Sequence, residues 1–354
     1  MSSVTEPKTP VGKTADYLDD RLSLGTVIKQ FGRKVFPDHW SFMLGEVALW
    51  SFVVVVLSGT FLTFFYEPSM AHTYYDGSYA PLKGAEMTVA YASSLDISFD
   101  IRGGLIMRQI HHWGALIFVA ASGVHMLRVF FTGAFRKPRE LNWVIGFLLF
   151  LMGMGAGFTG YSLPDDLLSG NGLRIIDGMI KGIPVVGPAV SSGFFGGEFP
   201  GTEVIPRLYS LHIMILPALI IALLAAHLLL LVIHMHTHYP GPGRRDDNVV
   251  GYPLMPVYVA KAGGFFFLVF GVIAAISALF TINPIWNYGP YDPSPVSAGT
   301  QPDWYIGWLD GALRLAPGGL DVAIFGYVIP MGVMLPIIVS LVFLVLVAVY
   351  PFIE

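Results

Sequence analysis

The sequence predicts an all-α integral membrane protein: a four-helix bundle, two further transmembrane helices, and long loops on the extracytoplasmic side. Composition is the first indication, because 54% of the 354 residues are hydrophobic and only 12% are charged. Soluble domains have about 25% charged residues. The second indication is a set of six apolar runs, each near the ~20 residues that cross a bilayer. The third is a pair of histidines in each of two runs.

The six predicted spans are called A to F in chain order. They are placed at residues 43–65, 104–131, 143–160, 208–234, 262–282 and 323–350. The chain is accordingly divided into a cytoplasmic N-terminal arm at 1–40, a four-helix region at 41–240 and a C-terminal region at 241–354. No Gly/Ser-rich or charged linker separates soluble domains within it.

The basic residues of the loops predict the orientation of the chain in the membrane. Twelve Lys and Arg residues lie in the N-terminal arm and the B–C and D–E loops, against six in the A–B, C–D and E–F loops. Because basic residues are enriched in cytoplasmic loops, the N-terminus is predicted to be cytoplasmic. The C–D and E–F loops, of about 40 residues each, then lie outside, and loops of that length are usually functional.

The residue types that are missing restrict the chemistry. The chain has no cysteine, which excludes disulfides, iron–sulfur clusters held by this chain and haem attached through thioethers. The net charge of −4 argues against a nucleic-acid partner. Any metal ligand must therefore be histidine, methionine or a carboxylate.

Spans B and D each carry two histidines near opposite ends. His111 and His125 are 14 residues apart, so they lie about 40° apart around a helix and ~21 Å apart along it. His212 and His227 are 15 residues apart, which gives about 60° and ~22 Å. Because B and D cross the membrane in the same direction, His111 pairs with His212 and His125 with His227. Two neutral imidazoles on opposite sides of a planar group ligate a six-coordinate b-type haem, so two haem b groups are predicted.

Glycines in spans A and C repeat the histidine spacing. Gly45 and Gly59 are 14 residues apart, and so are Gly146 and Gly160. A flat macrocycle between helices needs close backbone approach, which glycine permits. Glycine also helps membrane helices to pack, and a single intramembrane histidine is often a packed residue or a proton relay. The matching spacing on four helices favours the haem interpretation.

Two arginines lie beside the histidines of span B. Arg108 is three residues from His111, and Arg128 is three residues from His125. Each arginine lies on the side of its histidine that is toward the membrane surface. Each is predicted to pair with haem propionates, and the alternative is that they extend to the membrane interface, as arginines near helix ends commonly do.

Other ionisable residues near the spans carry weaker predictions. His112 is next to a predicted ligand but about 100° away around the helix, so it is predicted to be structural. Glu46 is predicted to reach the lipid headgroups. Three histidines at the inner end of span D are interpreted as a juxtamembrane polar cluster, and the alternative is an inner ligand site or a proton path. They are His234, His236 and His238.

Several motifs are specific enough to indicate a family. They are R-x-x-H-x13-H-x-x-R in span B, TGAFRKPRELNWVIG, GYSLP, IPVVG, YSLH-x14-H in span D, and PDWY at 302–305. Over nearly its whole length the chain resembles the cytochrome b subunit of bc- and bf-type quinol:cytochrome c oxidoreductases. PDWY resembles the PEWY motif of that family, with Asp303 in place of Glu. PDWY and the YPFIE ending are most similar to the actinobacterial menaquinol:cytochrome c reductases.

The resemblance implies a respiratory Q cycle. His111 and His212 would hold the iron of a low-potential haem near the outside, and His125 and His227 that of a high-potential haem near the cytoplasm. A quinol, with menaquinol suggested by the most similar members, would be oxidised at an outer site. One electron would pass to a Rieske protein and one across the membrane to a quinone at an inner site, coupled to proton translocation.

The resemblance also implies residues and partners. Asp303 would be the catalytic proton acceptor, and Tyr305 a quinone-binding or packing group. The partners would be a Rieske iron–sulfur protein and a cytochrome c subunit, in a homodimeric complex of a bacterial plasma membrane. A supercomplex with a terminal oxidase is a further expectation.

Some positions depart from the family pattern. Gly45 stands where photosynthetic-type members have a cysteine that carries an extra haem, so no covalent haem is expected. Lys261 is followed by Ala262 instead of an acidic residue, so the family's proton delivery to the inner site is not transferable. Asp165 replaces the tryptophan of GYVLPW. Mitochondrial-type members continue with two more helices, so a chain ending at Glu354 is expected to be a shorter variant or a truncated one.

Two other functions are compatible with the histidines alone. A dihaem membrane anchor of a dehydrogenase or hydrogenase would share the histidine pairs, but it gives no reason for PDWY or for the long outer loops. A transporter or channel would use the histidines as proton relays and would bind no haem.

Overall fold

The computed structural model describes residues 9–23, 25, 29, 31–239, 241–295 and 301–354. The predicted N-terminal arm therefore lies partly outside the described residues. Within them, six helices are long and apolar enough to cross a bilayer, which confirms the predicted fold class. They are Trp40–Thr63 (A), Gly104–Phe131 (B), Glu140–Ser162 (C), Val204–His234 (D), Leu254–Leu279 (E) and Met331–Ile353 (F).

Smaller elements precede the first span and connect the others. The helices are α1 (Pro10–Leu22), α2 (Val89–Phe99), α3 (Leu167–Lys181), α4 (Gly187–Phe195) and α5 (Trp304–Leu315). The strands are β1 (Val35–Pro37), β2 (His72–Tyr74), β3 (Glu86–Thr88), β4 (Gly251–Pro253), β5 (Asp321–Ile324) and β6 (Tyr327–Pro330). They pair antiparallel as β1 with β4, β2 with β3, and β5 with β6. The pairing of β1 with β4 joins the N-terminal arm to the D–E loop.

The spans pack as two helix pairs with one additional helix beside each. A packs against B and C against D, while E lies against A and B, and F lies against C. The spans are apolar all round, as helices surrounded by lipid or protein are. One core cluster joins Val54 of A, Ile110 of B and Ile273 of E, and contact between B and C closes the four-helix bundle.

The start of span F corrects the prediction. The helix begins at Met331, not at residue 323, because the preceding residues form the β5–β6 hairpin. Phe325 and Gly326 at its tip have φ values of 50° and 83°, as a type I′ turn requires at both central positions. A short apolar strand has the same hydropathy as helix, so the sequence pattern alone placed this boundary wrongly.

Span D contains one wider turn. A π-helical segment at Leu211–Ile215 separates two α-helical parts, and Pro217, which has no N–H to donate, follows it closely. A π turn accommodates one extra residue. The 15-residue spacing from His212 to His227 therefore corresponds to 14 residues of a regular helix. The two side chains are then about 40° apart around the helix axis, and not the 60° expected from the spacing alone.

The A–B, C–D and E–F loops, which keep the name outer loops from the predicted orientation, fold into a cap over one end of the bundle; the histidine pair at that end is called outer and the other pair inner. Its core consists of buried residues of α2, α3, α4 and the start of span D: Ala90, Leu173, Phe195, Val204, Ile205 and Leu208. The E–F loop is tied to this cap by backbone hydrogen bonds, from Tyr291 N to Asp165 O at 3.0 Å and from Leu167 N to Gly289 O at 3.0 Å. The cap thereby holds the end of span C and the E–F loop next to each other.

Candidate functional site

The two outer histidines face each other between spans B and D. The ring centroids of His111 and His212 are 6.1 Å apart, and the ring planes are inclined at 76°. Where two imidazole nitrogens each lie about 2.0 Å from one metal ion, the ring centroids are roughly 6 Å apart. The outer pair is therefore spaced as two axial ligands of one metal.

The inner histidines repeat this geometry. The ring centroids of His125 and His227 are 6.4 Å apart, with the planes at 80°. Among the described residues, no group of three or more His, Cys, Asp or Glu side chains is placed to hold a metal ion. Two imidazoles fill only two coordination positions, so each pair fits a metal whose remaining ligands arrive with it, as the four nitrogens of a haem do.

Hydrogen bonds fix the protonation of the outer rings. Nδ1 of His111 donates to the carbonyl of Val55 at 3.0 Å, and Nδ1 of His212 donates to the carbonyl of Ala156 at 2.9 Å. A ring that donates through Nδ1 while neutral carries a free lone pair on Nε2. Bonds of this kind to backbone carbonyls are typical of metal-ligating histidines.

Each of the four predicted glycines lies against one histidine ring. The pairs are Gly59 with His111, Gly160 with His212, Gly45 with His125, and Gly146 with His227. A Cβ at Gly59 would lie 2.8 Å from Cε1 of His111, closer than packed atoms tolerate. The glycines therefore leave space for the imidazole rings. The spacing of the glycines in the sequence had assigned this space to the macrocycle.

The two predicted arginines carry unpaired N–H groups. Arg108 donates from Nη2 to the carbonyl of Asn283 at 2.6 Å, but its buried Nη1 has no partner among the described residues. Arg128 lies over the ring of Phe42 at 4.0 Å, and its buried Nε and Nη2 are likewise unpaired there. Buried guanidinium donors need acceptors, and carboxylates are their strongest partners, so both fit the propionates of a haem.

A cavity of about 440 Å³ adjoins the outer histidines. This volume is within the range of cofactor and ligand pockets. Its walls include both outer histidines, two more residues of span B, and residues from span A, span C and the PDWY motif: Arg108, His112, Gly59, Gly160, Tyr161, Asp303 and Tyr305. The cavity thus brings the outer pair of predicted haem ligands and two residues of the PDWY motif into one space.

The carboxylate of Asp303 is held from two sides. His112 Nε2 lies 3.3 Å from Oδ2, and the hydroxyl of Tyr305 donates to the same oxygen at 3.0 Å. Tyr305 is 3% exposed, and burial together with the charge of Asp303 raises its pKa well above the usual value, so it remains a donor. The prediction that His112 is merely structural overlooked this contact, because His112 faces away from the predicted ligand face and its partner lies in a distant segment.

Two further acids at the end of span C are buried. Asp165 is 3% exposed and Asp166 is fully buried. Burial raises the pKa of Asp165 to about 7, although Thr88 donates to its Oδ2 at 2.9 Å. Asp166 accepts from the hydroxyl of Ser169 at 2.7 Å. In the sequence, these acids were indicated only by Asp165, which replaces the tryptophan of the family motif GYVLPW.

The histidine cluster at the inner end of span D is partly enclosed. His236 packs edge-on against Phe36 and Phe42, with ring centroids 4.6 and 5.3 Å away. Burial, with a smaller effect of the charges of Arg128 and Arg139, lowers the pKa of His236 to about 3. His236 of the predicted juxtamembrane polar cluster is therefore neutral and packed among aromatic rings.

Comparisons with known proteins agree on one family. The family profile described as "Cytochrome b(N-terminal)/b6/petB" matches residues 116–290. The cytochrome bc1 complex cytochrome b subunit of Streptomyces coelicolor is 57% identical over 98% of this chain, and that of Mycobacterium tuberculosis is 52% identical over 97%. The chain covers 64% and 62% of the lengths of these two relatives, which is less than two thirds.

A solved structure has the same fold. A chain of a hyperthermophilic respiratory complex III superimposes with a TM-score of 0.74 at 22% sequence identity. The match covers 96% of this chain and 82% of the other.

Proposed function

The chain belongs to the cytochrome b family, and we propose that it is the membrane core of a quinol:cytochrome c oxidoreductase. This proposal rests on two pairs of facing histidines at two depths of one bundle. The ring centroids are 6.1 Å apart in one pair and 6.4 Å apart in the other. A cavity with Asp303 and Tyr305 adjoins one pair. A dihaem anchor for another enzyme would not need that carboxylate, and a transporter would not need paired imidazoles.

The geometry supports a proposal for the residues that would hold two haem b groups. His111 and His212 would provide the axial nitrogens at the outer level, and His125 and His227 those at the inner level. Arg108 and Arg128 would donate hydrogen bonds to the propionates, and the four facing glycines leave space for the imidazoles. When bound, the haems supply one-electron carriers at two levels, separated by ~21 Å along span B.

The outer cavity is proposed as the site of quinol oxidation. Oxidation of a quinol releases two electrons and two protons, so a base within hydrogen-bonding reach is required. Asp303 is that base, and Tyr305 and His112 fix the direction of its carboxylate. One electron would leave to a Rieske iron–sulfur partner and the other across the membrane to a quinone at the inner face.

The remaining parts of the proposal concern the assembly and its orientation. The basic N-terminal arm, B–C loop and D–E loop support a cytoplasmic N-terminus in a bacterial plasma membrane. A menaquinol substrate, a cytochrome c partner, a homodimeric complex, a supercomplex with an oxidase and proton translocation are proposed from the family membership.

Optical spectra of the purified complex test the proposal. A reduced-minus-oxidised spectrum with a redox titration is expected to show two b-type haems of different potential. The variants His111→Ala and His125→Ala should each lose one haem. The control variant His72→Ala should keep both haems, because His72 lies in the A–B loop and its side chain is 69% exposed. Absence of b-type absorbance from the unmodified complex would contradict the proposal.

A further inference from the structure

Span A carries an acid that neither histidine pair nor the outer cavity uses. Glu46 lies in the first turn of the helix Met43–Thr63 and within the membrane-spanning segment Trp40–Thr63. Acids within membrane spans are rare, and they usually mark ion or proton pathways. The sequence suggested only that Glu46 reaches the headgroups, and the structure gives it a partner instead.

Tyr258 holds Glu46 between spans A and E. Its hydroxyl donates to Oε1 of Glu46 at 2.6 Å. The ring of Tyr258 packs against Phe36, with centroids 4.9 Å apart, so the phenol is itself fixed. An acid that only extended into the headgroup layer would not need a partner on the neighbouring helix.

A surface ion pair lies next to Tyr258 along the chain. Lys261, three residues after Tyr258, contacts Oδ1 of Asp38 at 2.9 Å. The side chains of Lys261 and Asp38 are 50% and 52% exposed. Polar groups therefore run from water at Asp38 and Lys261 to Glu46 inside the membrane segment.

Glu46 is also close to the inner histidine pair. The preceding residue, Gly45, lies against the ring of His125, and a Cβ there would be 3.1 Å from its Cε1. Consecutive residues of a helix point about 100° apart, so Gly45 faces the histidine while Glu46 faces span E. One turn deeper, the buried indole N–H of Trp50 has no partner among the described residues.

We infer that Glu46 is the proton donor to the quinone reduced at the inner face, with Tyr258 as its positioning residue. The inference rests on the proposed function. Conversion of quinone to quinol takes two protons and two electrons, and a haem held by His125 and His227 would supply the electrons. The O–H bond of the Glu46 carboxyl breaks, an O–H bond forms on a quinone oxygen, and the carboxylate regains a proton from water at Lys261 and Asp38. The second proton follows the same route.

The charged and titratable groups around Glu46 come from three elements. Tyr258 contacts it from span E, and Lys261 of the same span pairs with Asp38 just before span A. His125 belongs to span B, on the far side of Gly45. Asp38 and Lys261 neutralise each other at the surface, and Glu46 is the acid of this group that lies inside the membrane segment.

Glu46→Gln in the purified complex tests the inference. The substitution keeps the shape and the acceptor for Tyr258 but removes the transferable proton. Glu140→Gln is the matched control, because Glu140 also lies in the first turn of a span on the same side of the bundle. We expect reoxidation of the reduced inner haem by quinone to slow about 100-fold in Glu46→Gln, as for loss of a general acid. The rate in Glu140→Gln should be unchanged.

Redox-induced infrared difference spectra provide a measurement that does not depend on turnover. A carboxyl C=O band should be lost as quinone is reduced and return as Glu46 regains its proton, in the unmodified complex and in Glu140→Gln, and this band should be missing from Glu46→Gln. Tyr258→Phe should shift this band and slow reoxidation about 10-fold, and it is the variant to use if Glu46→Gln does not assemble.

Two results would overturn the inference. One is an equal reoxidation rate in Glu46→Gln and Glu140→Gln, and the other is a spectrum of the unmodified complex without a carboxyl band. A complex that lacks b-type haem altogether would instead contradict the proposed function, so the two failures are distinguishable.

Discussion

His112 and Asp303 are 191 residues apart in the chain, yet Nε2 of one lies 3.3 Å from Oδ2 of the other in the wall of the outer cavity. Their side chains are 16% and 18% exposed. The contact joins span B, which carries the predicted haem ligand His111, to helix α5, which carries Tyr305. Asp303 is therefore oriented by two donors beside the outer histidine pair.

Asp303→Asn is expected to slow quinol oxidation by about 100-fold, because an amide cannot accept the proton that a general base removes. Both haems should remain, since Asp303 lies outside the histidine pairs. Asp321→Asn in the exposed strand β5 is the matched control. The measurement is quinol-dependent haem reduction in rapid mixing, alongside the haem content. Turnover equal to that of the control across the pH range would remove the role assigned to Asp303.

His112→Leu should slow quinol oxidation by about 10-fold, because Asp303 loses a charged hydrogen bond of roughly 1.5–3 kcal/mol. The haem content should not change, since His111 is the ligand. The combination with Asp303→Asn should be no slower than Asp303→Asn alone, because contacting residues are not additive. If the two reductions in the rate of quinol oxidation multiplied in the double variant, His112 would not act through Asp303.

The sequence predicted the features that depend on local periodicity. The six spans follow from apolar length, and the choice of His111 and His125 over His112 follows from the pitch of a helix. The pairing with span D was accessible because both spans cross in the same direction. Each of these inferences needs only one helix or two parallel ones.

Features that depend on distant contacts were not accessible from the sequence. The contact of His112 with Asp303 requires the E–F loop to fold back over the bundle, and the Glu46–Tyr258 bond requires span E to lie beside span A. The hairpin before span F and the π turn in span D have the same hydropathy as regular helix. The glycine spacing was recognised, but which group fills the space depends on side-chain direction.

Gly160→Ala is expected to remove the outer haem selectively. A Cβ at Gly160 would lie 2.9 Å from Nε2 of His212, the nitrogen that would bind the iron, whereas one at Gly155 in the same helix would meet nothing within 4 Å. Gly155→Ala is therefore the matched control. The haem-to-protein ratio should fall from two to one in Gly160→Ala only. Two haems in both variants would mean that the ring of His212 can move away without losing its ligand position.

Asp165→Asn should raise the melting temperature of the complex, and more at pH 8 than at pH 5. Burial raises the pKa of Asp165 from 3.8 to about 7, so the folded chain holds a proton there that the unfolded chain releases. Stability then falls as the pH rises between these two values and is lowest above pH 7. Asparagine has no charge to bury and can still accept from Thr88. Thermal unfolding in detergent at both pH values measures the effect, and an equal gain at both would show that Asp165 ionises as freely in the folded chain as in the unfolded one.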